Sequence, residues 1–154
     1  DDRGDDGERD FDFAIEAARV LADEISALDR TDSVVVVSVA DEVTEAVHEF
    51  APDVATSPAN AAMTSWFTED VPFLESHRVM QIPPFNDGLD ILNLPGFLEK
   101  ASNEGVEVWV WPNDASTQEN PDFYEELLGY DIDGLLVGHP DLAVERLQEI
   151  GVIP

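Results

Sequence analysis

Gly105-Val-Glu-Val-Trp-Val-Trp-Pro-Asn-Asp114 and Tyr130-Asp-Ile-Asp-Gly-Leu-Leu-Val-Gly-His-Pro-Asp141 decide the fold. Each is a short run of β-branched, aliphatic and aromatic residues that ends in a polar, proline-containing loop. Runs of this length with apolar residues on both faces are strands of a parallel sheet. Between them, Asn120-Pro121 opens a helix that carries Phe123, Leu127 and Leu128. Strand, helix, strand is a right-handed crossover unit, and in α/β barrels the loops that follow the strands carry the chemistry.

The same alternation extends towards the N-terminus. Phe11, Ile15, Ala18, Leu21, Ile25 and Leu28 recur at steps of three and four, which predicts an amphipathic helix over 11–29. Val34 to Val37 predicts a strand buried on both faces. Asp41 is placed to cap a helix whose apolar face is Val43, Val47 and Phe50, and Pro52 ends it. Val54 to Thr56 is a weaker strand, and residues 58–76 suggest short helical pieces around Ser65 to Phe67 and Pro72 to Leu74. Arg78 to Ile82 is a strand halted by Pro83-Pro84, Asn86-Asp-Gly88 is a turn, and a helix starts at Asn93 and Pro95 and stops before Gly105. The closing elements are a strand over Ile132 to Val137 and a helix capped by Asp141, with Leu142, Leu147 and Ile150 inward. About four strand–helix units after one leading helix are half of an eight-fold barrel, which typically takes ~250 residues. A complete small doubly wound sheet has the same period.

A chain of 154 residues with 44% hydrophobic content holds one domain with a core. Asp1 to Asp10 reads as an acidic, flexible lead-in, leaving 11–154 as the folded domain. Aspartate and glutamate number 35 against 7 lysines and arginines, a net charge of −28. Such a surface repels nucleic acid and anionic lipid, so neither is an expected partner. The acids are spread over the whole chain, which favours a salt-adapted surface over a single acidic binding face. There is no cysteine, hence no disulfide or thiolate chemistry. The absence of a long apolar run predicts no membrane insertion, and with no leader the expected location is cytoplasmic. The first residue is not methionine, so the chain is expected to start inside a reading frame or after processing. No G-x-G-x-x-G, Walker loop or G-x-S-x-G occurs, which excludes the common dinucleotide, nucleoside-triphosphate and serine-hydrolase signatures.

Taken in order, these blocks resemble glycerophosphodiester phosphodiesterases. Residues 105–114 are similar to that family's "G-x-x-V-x-V-W-T-V-N" strand, and residues 130–141 to its closing "G-V-D-G-I-I-T-D-x-P". Val34 to Asp41 resembles "v-v-v-S-F-d", with Ser38 on its serine and Val39 replacing its phenylalanine. Arg78 to Pro84 resembles "l-q-v-P", with Gln81 and Pro83 in place, and Leu94 to Gly105 resembles the helix before the tryptophan strand. Pro112-Asn113 stands where Thr-Val-Asn is usual, and Val137-Gly138-His139 where Thr-Asp-Arg is usual. The family's His-Arg-Gly, Pro-Glu-Asn-Thr, Glu-x-Asp, His-Asp and Glu-x-Lys do not occur.

The resemblance implies an α/β fold that is the C-terminal part of a (β/α)8 TIM barrel, entered after the fourth strand. It implies hydrolysis of glycerophosphodiesters to glycerol 3-phosphate and an alcohol. It also implies a divalent metal, Mg or Ca, whose ligands, like the acid/base histidines, belong to an N-terminal half that acts as partner. By itself the chain is then inactive, with no catalytic and no metal residue of its own.

Ser38, Gln81, Trp111 and Asn113 fall at strand C-termini and are the candidate substrate pocket. Trp111 offers either an apolar wall or mouth packing, and Asn113 an amide donor. Gly138 and His139, before the last helix, are the candidate phosphate loop. His48 reads as a surface histidine and His77 as structural. Trp109 is expected in the interior layers, Asp131 and Asp133 at the wrong end of the barrel for ligands, and Asp114 as a loop cap. The alternative is a non-catalytic α/β domain that binds a small anion or a protein.

Overall fold

The computed structural model describes residues 11–86, 88–114 and 120–154. The acidic lead-in of residues 1–10 lies outside them, as does Asp87 of the expected turn. The chain divides between Val79 and Met80 into two compact units.

In the first unit, helix α1 (Phe11–Ala27) packs on α2 (Asp41–Phe50). Ala18 and Ile25 join Val36, Val43, Val47 and Val54 in one core cluster, with Phe11 and Ile15 at its margin. The expected α1 face is rotated. Leu21 and Leu28 are exposed, and Ala22 is buried instead. Ala18, Ala22 and Ile25 follow the steps of four and three that keep one side of a helix together, whereas Leu21 lies about 70° round from the centre of that side and Leu28 is past the end of the helix. Small alanines at the contact let the two helices approach closely.

Strand β1 (Val35–Val36) pairs parallel with β2 (Ala55–Thr56) in the register Val35↔Ala55 and Val36↔Thr56. Of the valine run only Val36 is buried, and Val37 is exposed, so burial on both faces does not hold within this unit. Alternate side chains of a strand face opposite ways, and the α1–α2 layer covers one of those ways. Residues 60–69 form a single helix, α3 (Asn60–Glu69), closed by Asp70 in the left-handed region at φ 60°.

The start of α3 corrects the expectation for Asp41. Asp41 is the first residue of α2, and Ala40 is that helix's N-cap. The Asp41 carboxylate serves α3 instead. Its Oδ1 accepts from the amides of Ala59 (3.1 Å) and Ala62 (3.3 Å), and its Oδ2 from those of Ala61 (3.1 Å) and Ala62 (3.3 Å). The N-cap residue of α3 is Ala59, which has no side-chain oxygen to offer.

In the second unit the strand order is β3 (Val79–Ile82), β6 (Glu107–Val110), β7 (Gly134–Leu135). β6 and β7 are parallel, with Trp109 opposite Gly134 and Val110 opposite Leu135. The Trp111 amide, one residue past the end of β6, donates to the carbonyl of Ile82, the last residue of β3 (3.0 Å). C-terminal ends meet there, so β3 runs the same way. After β3 the chain makes a hairpin, β4 (Phe85–Asn86) with β5 (Leu89–Asp90), around Gly88 at φ 80°. A turn was expected at this position; Phe85 and Leu89 on either side of it extend it into a ribbon.

Helix α4 (Phe97–Glu104) begins four residues later than Asn93, because Gly96 sits at φ 80° and breaks the helical path. Gly105, at φ 70°, ends it as expected. Asn120 caps α5 (Pro121–Leu127), its side-chain oxygen accepting from the Asp122 amide (3.1 Å). Helix α6 (Pro140–Glu149) has His139 at its N-cap and Asp141 inside its first turn, not at the cap. Among the described residues, no helix is long and apolar enough to cross a membrane.

Candidate functional site

In the second unit the C-terminal ends of β3 and β6 are tied together, and three of the expected pocket residues lie there. Val108 and Val110 are buried on one face of β6. Alternation therefore puts Glu107, Trp109 and Trp111 on the other face. Trp109 is half-buried, not enclosed. Its indole lies against Gly134, and its Nε1 donates to the Glu107 carboxylate (3.0 Å). A Cβ on Gly134 would stand 2.8 Å from Trp109 Cδ1. The glycine is thus the seat of the tryptophan.

Trp111 is partly exposed at the end of the strand. Two residues on, the Asn113 side chain donates from Nδ2 to the Phe85 carbonyl (2.6 Å). The loop after β6 is thereby latched to the hairpin after β3. Asn113 spends an amide hydrogen on the backbone, so its first role is to fix the loop. Gln81, in β3, is half-buried.

Ser38 belongs to the first unit. Its Oγ accepts from the Ala40 amide (3.1 Å), a local turn that leads into α2. Gly138 and His139 are exposed ahead of α6. The His139 ring nitrogen Nδ1 is 3.9 Å from a carboxylate oxygen of Asp141. A carboxylate in the first turn already answers the positive end of the helix.

At the opposite end of the sheet Asp133 clamps β6. Its Oδ2 accepts from the Val108 amide (2.8 Å), while its own amide donates to the Val108 carbonyl (2.9 Å). Asp133 lies ahead of β7, at the end of the sheet where the sequence placed the pair 131/133.

The first unit holds a buried polar cluster that local spacing does not predict. Thr56, Ser76 and His77 are all buried. Thr56 Oγ1 lies 2.9 Å from Ser76 Oγ and 2.7 Å from His77 Nδ1. One hydroxyl hydrogen cannot serve both, so the imidazole donates to Thr56 when Thr56 donates to Ser76, and accepts when the chain of protons is reversed. The His77 ring meets Phe73 edge-on, and Phe73 stacks on Trp66 at 4.9 Å. Burial pushes the His77 pKa below its ordinary value, with His48 adding to the effect and Asp41 opposing it. His48 is not a surface residue. It is half-buried, and its buried Nδ1 has no hydrogen-bond partner among the described residues.

Among the described residues no three His, Asp or Glu side chains converge so as to hold a metal ion. The donor set that a divalent cation needs is therefore not met by them.

Comparison with known proteins gives the fold. No protein-family profile and no curated protein sequence matches the chain. Solved structures do. Crystalline glycerophosphodiester phosphodiesterase from Agrobacterium tumefaciens str. C58 is similar at a TM-score of 0.59 and 17% identity, over 81% of this chain and 49% of that one. A protein assigned as a glycerophosphoryl diester phosphodiesterase, from Silicibacter pomeroyi DSS-3, is similar at a TM-score of 0.66 and 13% identity, over 93% and 47%. The chain thus spans about half the length of these proteins. It shares their mixed α/β fold, in which parallel strands alternate with helices, and the expected fold class of a partial (β/α)8 barrel stands at that level.

Proposed function

We propose that this chain is the C-terminal portion of a glycerophosphodiester phosphodiesterase-like (β/α)8 enzyme. In this reading it contributes the sheet, the loops around Trp111 and Asn113, and walls for the substrate. The observation that carries it is the fold match to two proteins bearing that activity's name, each over about half its length. The ordered resemblance of the strand blocks, with Asn113 latching one loop to the next, supports it. Cleavage of a phosphodiester needs charge neutralisation and an activated nucleophile. The described residues offer no cation site, so the divalent metal and the acid/base histidines are assigned to polypeptide outside this chain. Ser38, Gln81, Trp111 and Asn113 are assigned to the substrate, and the backbone around Gly138 and His139 to its phosphate. The acid-rich, lysine-poor composition is assigned to a salt-adapted cytoplasm.

The test begins with the DNA upstream of the codon for Asp1. An in-frame segment that encodes His-Arg-Gly, Pro-Glu-Asn-Thr and Glu-x-Asp is the expected finding. The complete protein is then expected to release glycerol 3-phosphate from glycerophosphocholine with Mg or Ca, and to stop with a chelator. The 154-residue chain alone is expected to release none. Chelator-sensitive turnover by the isolated chain, or none by the complete protein, defeats the assignment.

A further inference from the structure

Helix α1 has more apolar surface than its buried side uses. Ala18, Ala22 and Ile25 make up that buried side. Phe13, Val20 and Leu21 are 65%, 55% and 45% exposed. They lie seven and eight residues apart, with the exposed Ala17 between them, and so form a second apolar side. Three of the four acids of the helix, Asp12, Glu16 and Asp23, keep to a third side, and only Glu24 reaches into the second. Single apolar residues on a surface need no explanation, but a whole helix side in a chain of 35 acids does.

The strand that α1 leads into is open along one edge. Among the described residues β1 pairs with β2 alone. The Val36 carbonyl accepts from the Ser57 amide (3.1 Å), so the Val36 backbone faces β2. Successive residues of a strand turn their backbone groups to opposite edges, which leaves those of Val35 and Val37 on the free edge. Helix α2 crosses from β1 to β2 and also meets α3, which follows β2. Helix α1 therefore flanks α2 on the side of the free edge. In a right-handed parallel crossover, the strand before such a helix lies along that same edge.

Resting on the reading above, we propose that the Phe13–Val20–Leu21 side of α1 and the free edge of β1 form one seam, occupied by a parallel strand–helix unit of the same polypeptide encoded ahead of Asp1. The incoming strand pairs with the Val35 and Val37 backbone, and the incoming helix covers Phe13, Val20 and Leu21. The chain spans about half the length of two proteins that share its fold, and the remainder of such a protein is ample for a unit of this size. The competing occupant is a second copy of this chain. It would bring another net charge of −28 to the face, whereas a segment of the same polypeptide is held there by the chain itself.

The test uses the complete protein and needs neither metal nor turnover. Amide hydrogen exchange at Val35 and Val37 is expected to be slowed to within about tenfold of Val36, which faces β2. Phe13→Gln and Val20→Gln are each expected to lower its melting temperature by at least ~3 °C. Asp23→Asn, on the charged side of the same helix, is expected to leave it within ~1 °C. Exchange at Val35 and Val37 as fast as at an open edge overturns the proposal, as does a melting temperature that Phe13→Gln and Val20→Gln do not move. A dimer of the 154-residue chain or of the complete protein that Val20→Gln dissociates assigns the face to a second copy, and a reading frame with no polypeptide ahead of Asp1 removes the occupant; either overturns it. Glycerophosphocholine hydrolysis is scored separately. Slowed edge amides without turnover keep the seam and remove the enzymatic reading, and turnover with open edge amides does the reverse.

Discussion

Replacing Asp41 by alanine tests whether one carboxylate starts a helix that is not its own. The first backbone bond inside α3 runs from the Met63 amide to the Ala59 carbonyl (3.0 Å), so the amides of residues 59–62 have no partner within the helix. Asp41 accepts from three of them, those of Ala59, Ala61 and Ala62. An ordinary cap satisfies one such amide and is worth ~1 kcal/mol. Here Ala59 is buried at 2% exposure, so water cannot replace the lost acceptor there. A buried unsatisfied amide costs about 1–3 kcal/mol, and the loss of a negative charge from a helix start adds ~0.5 kcal/mol. The amides of Ala61 and Ala62 regain water and add less. Asp41→Ala should therefore cost roughly 2–4 kcal/mol. Asp41→Asn keeps one acceptor oxygen, enough for Ala59 and Ala62, and should cost ~1 kcal/mol. Urea denaturation at fixed KCl reads the difference as a midpoint shift, about 1–2 M for the alanine variant at a slope of ~2 kcal/mol/M. Hydrogen exchange at the Ala61 and Ala62 amides should speed up before global unfolding. An alanine variant within ~0.5 kcal/mol of the parent would refute the cross-helix cap. An asparagine variant as damaged as the alanine variant would refute the argument from acceptors and leave only the charge.

Gly134→Ala drives a methyl to 2.8 Å from Trp109 Cδ1, so the indole must leave its seat at a cost of about 1–3 kcal/mol; an unchanged near-ultraviolet circular dichroism spectrum would contradict this. His77 titrates with the opposite sign from a paired histidine. Its folded pKa is depressed from 6.5 by burial, so the stability it confers is complete above the unfolded pKa and falls as pH drops below it, at up to ~1.4 kcal/mol per pH unit. The stability difference between the parent and His77→Gln should narrow between pH 6.5 and 5, and a difference independent of pH in that window would show that the ring does not feel its burial. Lastly, the −28 charge predicts a melting temperature that rises by several degrees from dilute buffer to 1 M KCl, as the screening length falls from ~10 Å or more to ~3 Å. A melting temperature that does not move would remove the case for a salt-adapted surface.

What could be read from the sequence follows the range over which each interaction acts. Strand and helix alternation depends on neighbouring residues, and Asn120 before Pro121 or Gly105 after Glu104 mark ends that the structure keeps. The turn at residues 86–88 was equally local, whereas the two short strands that make it a hairpin were not expected from the sequence. Burial depends on what lies across the contact. Leu21 looks like a core residue in an i, i+3, i+4 series, yet the partner helix meets α1 on the side of Ala18 and Ala22. Asp41 satisfied every local rule for capping α2, and its carboxylate instead reaches amides eighteen to twenty-one residues ahead. No rule of local spacing contains that distance. The same holds for Thr56 and His77, which become partners only because a parallel bridge joins β2 to the segment before β3. For the site, position was legible and role was not. Asn113 lies at the end of its strand, as its place in the sequence implied, but its amide is committed to the Phe85 carbonyl. A residue that fixes a loop acts first through the neighbour it holds in place, and for Asn113 that neighbour is the backbone of Phe85.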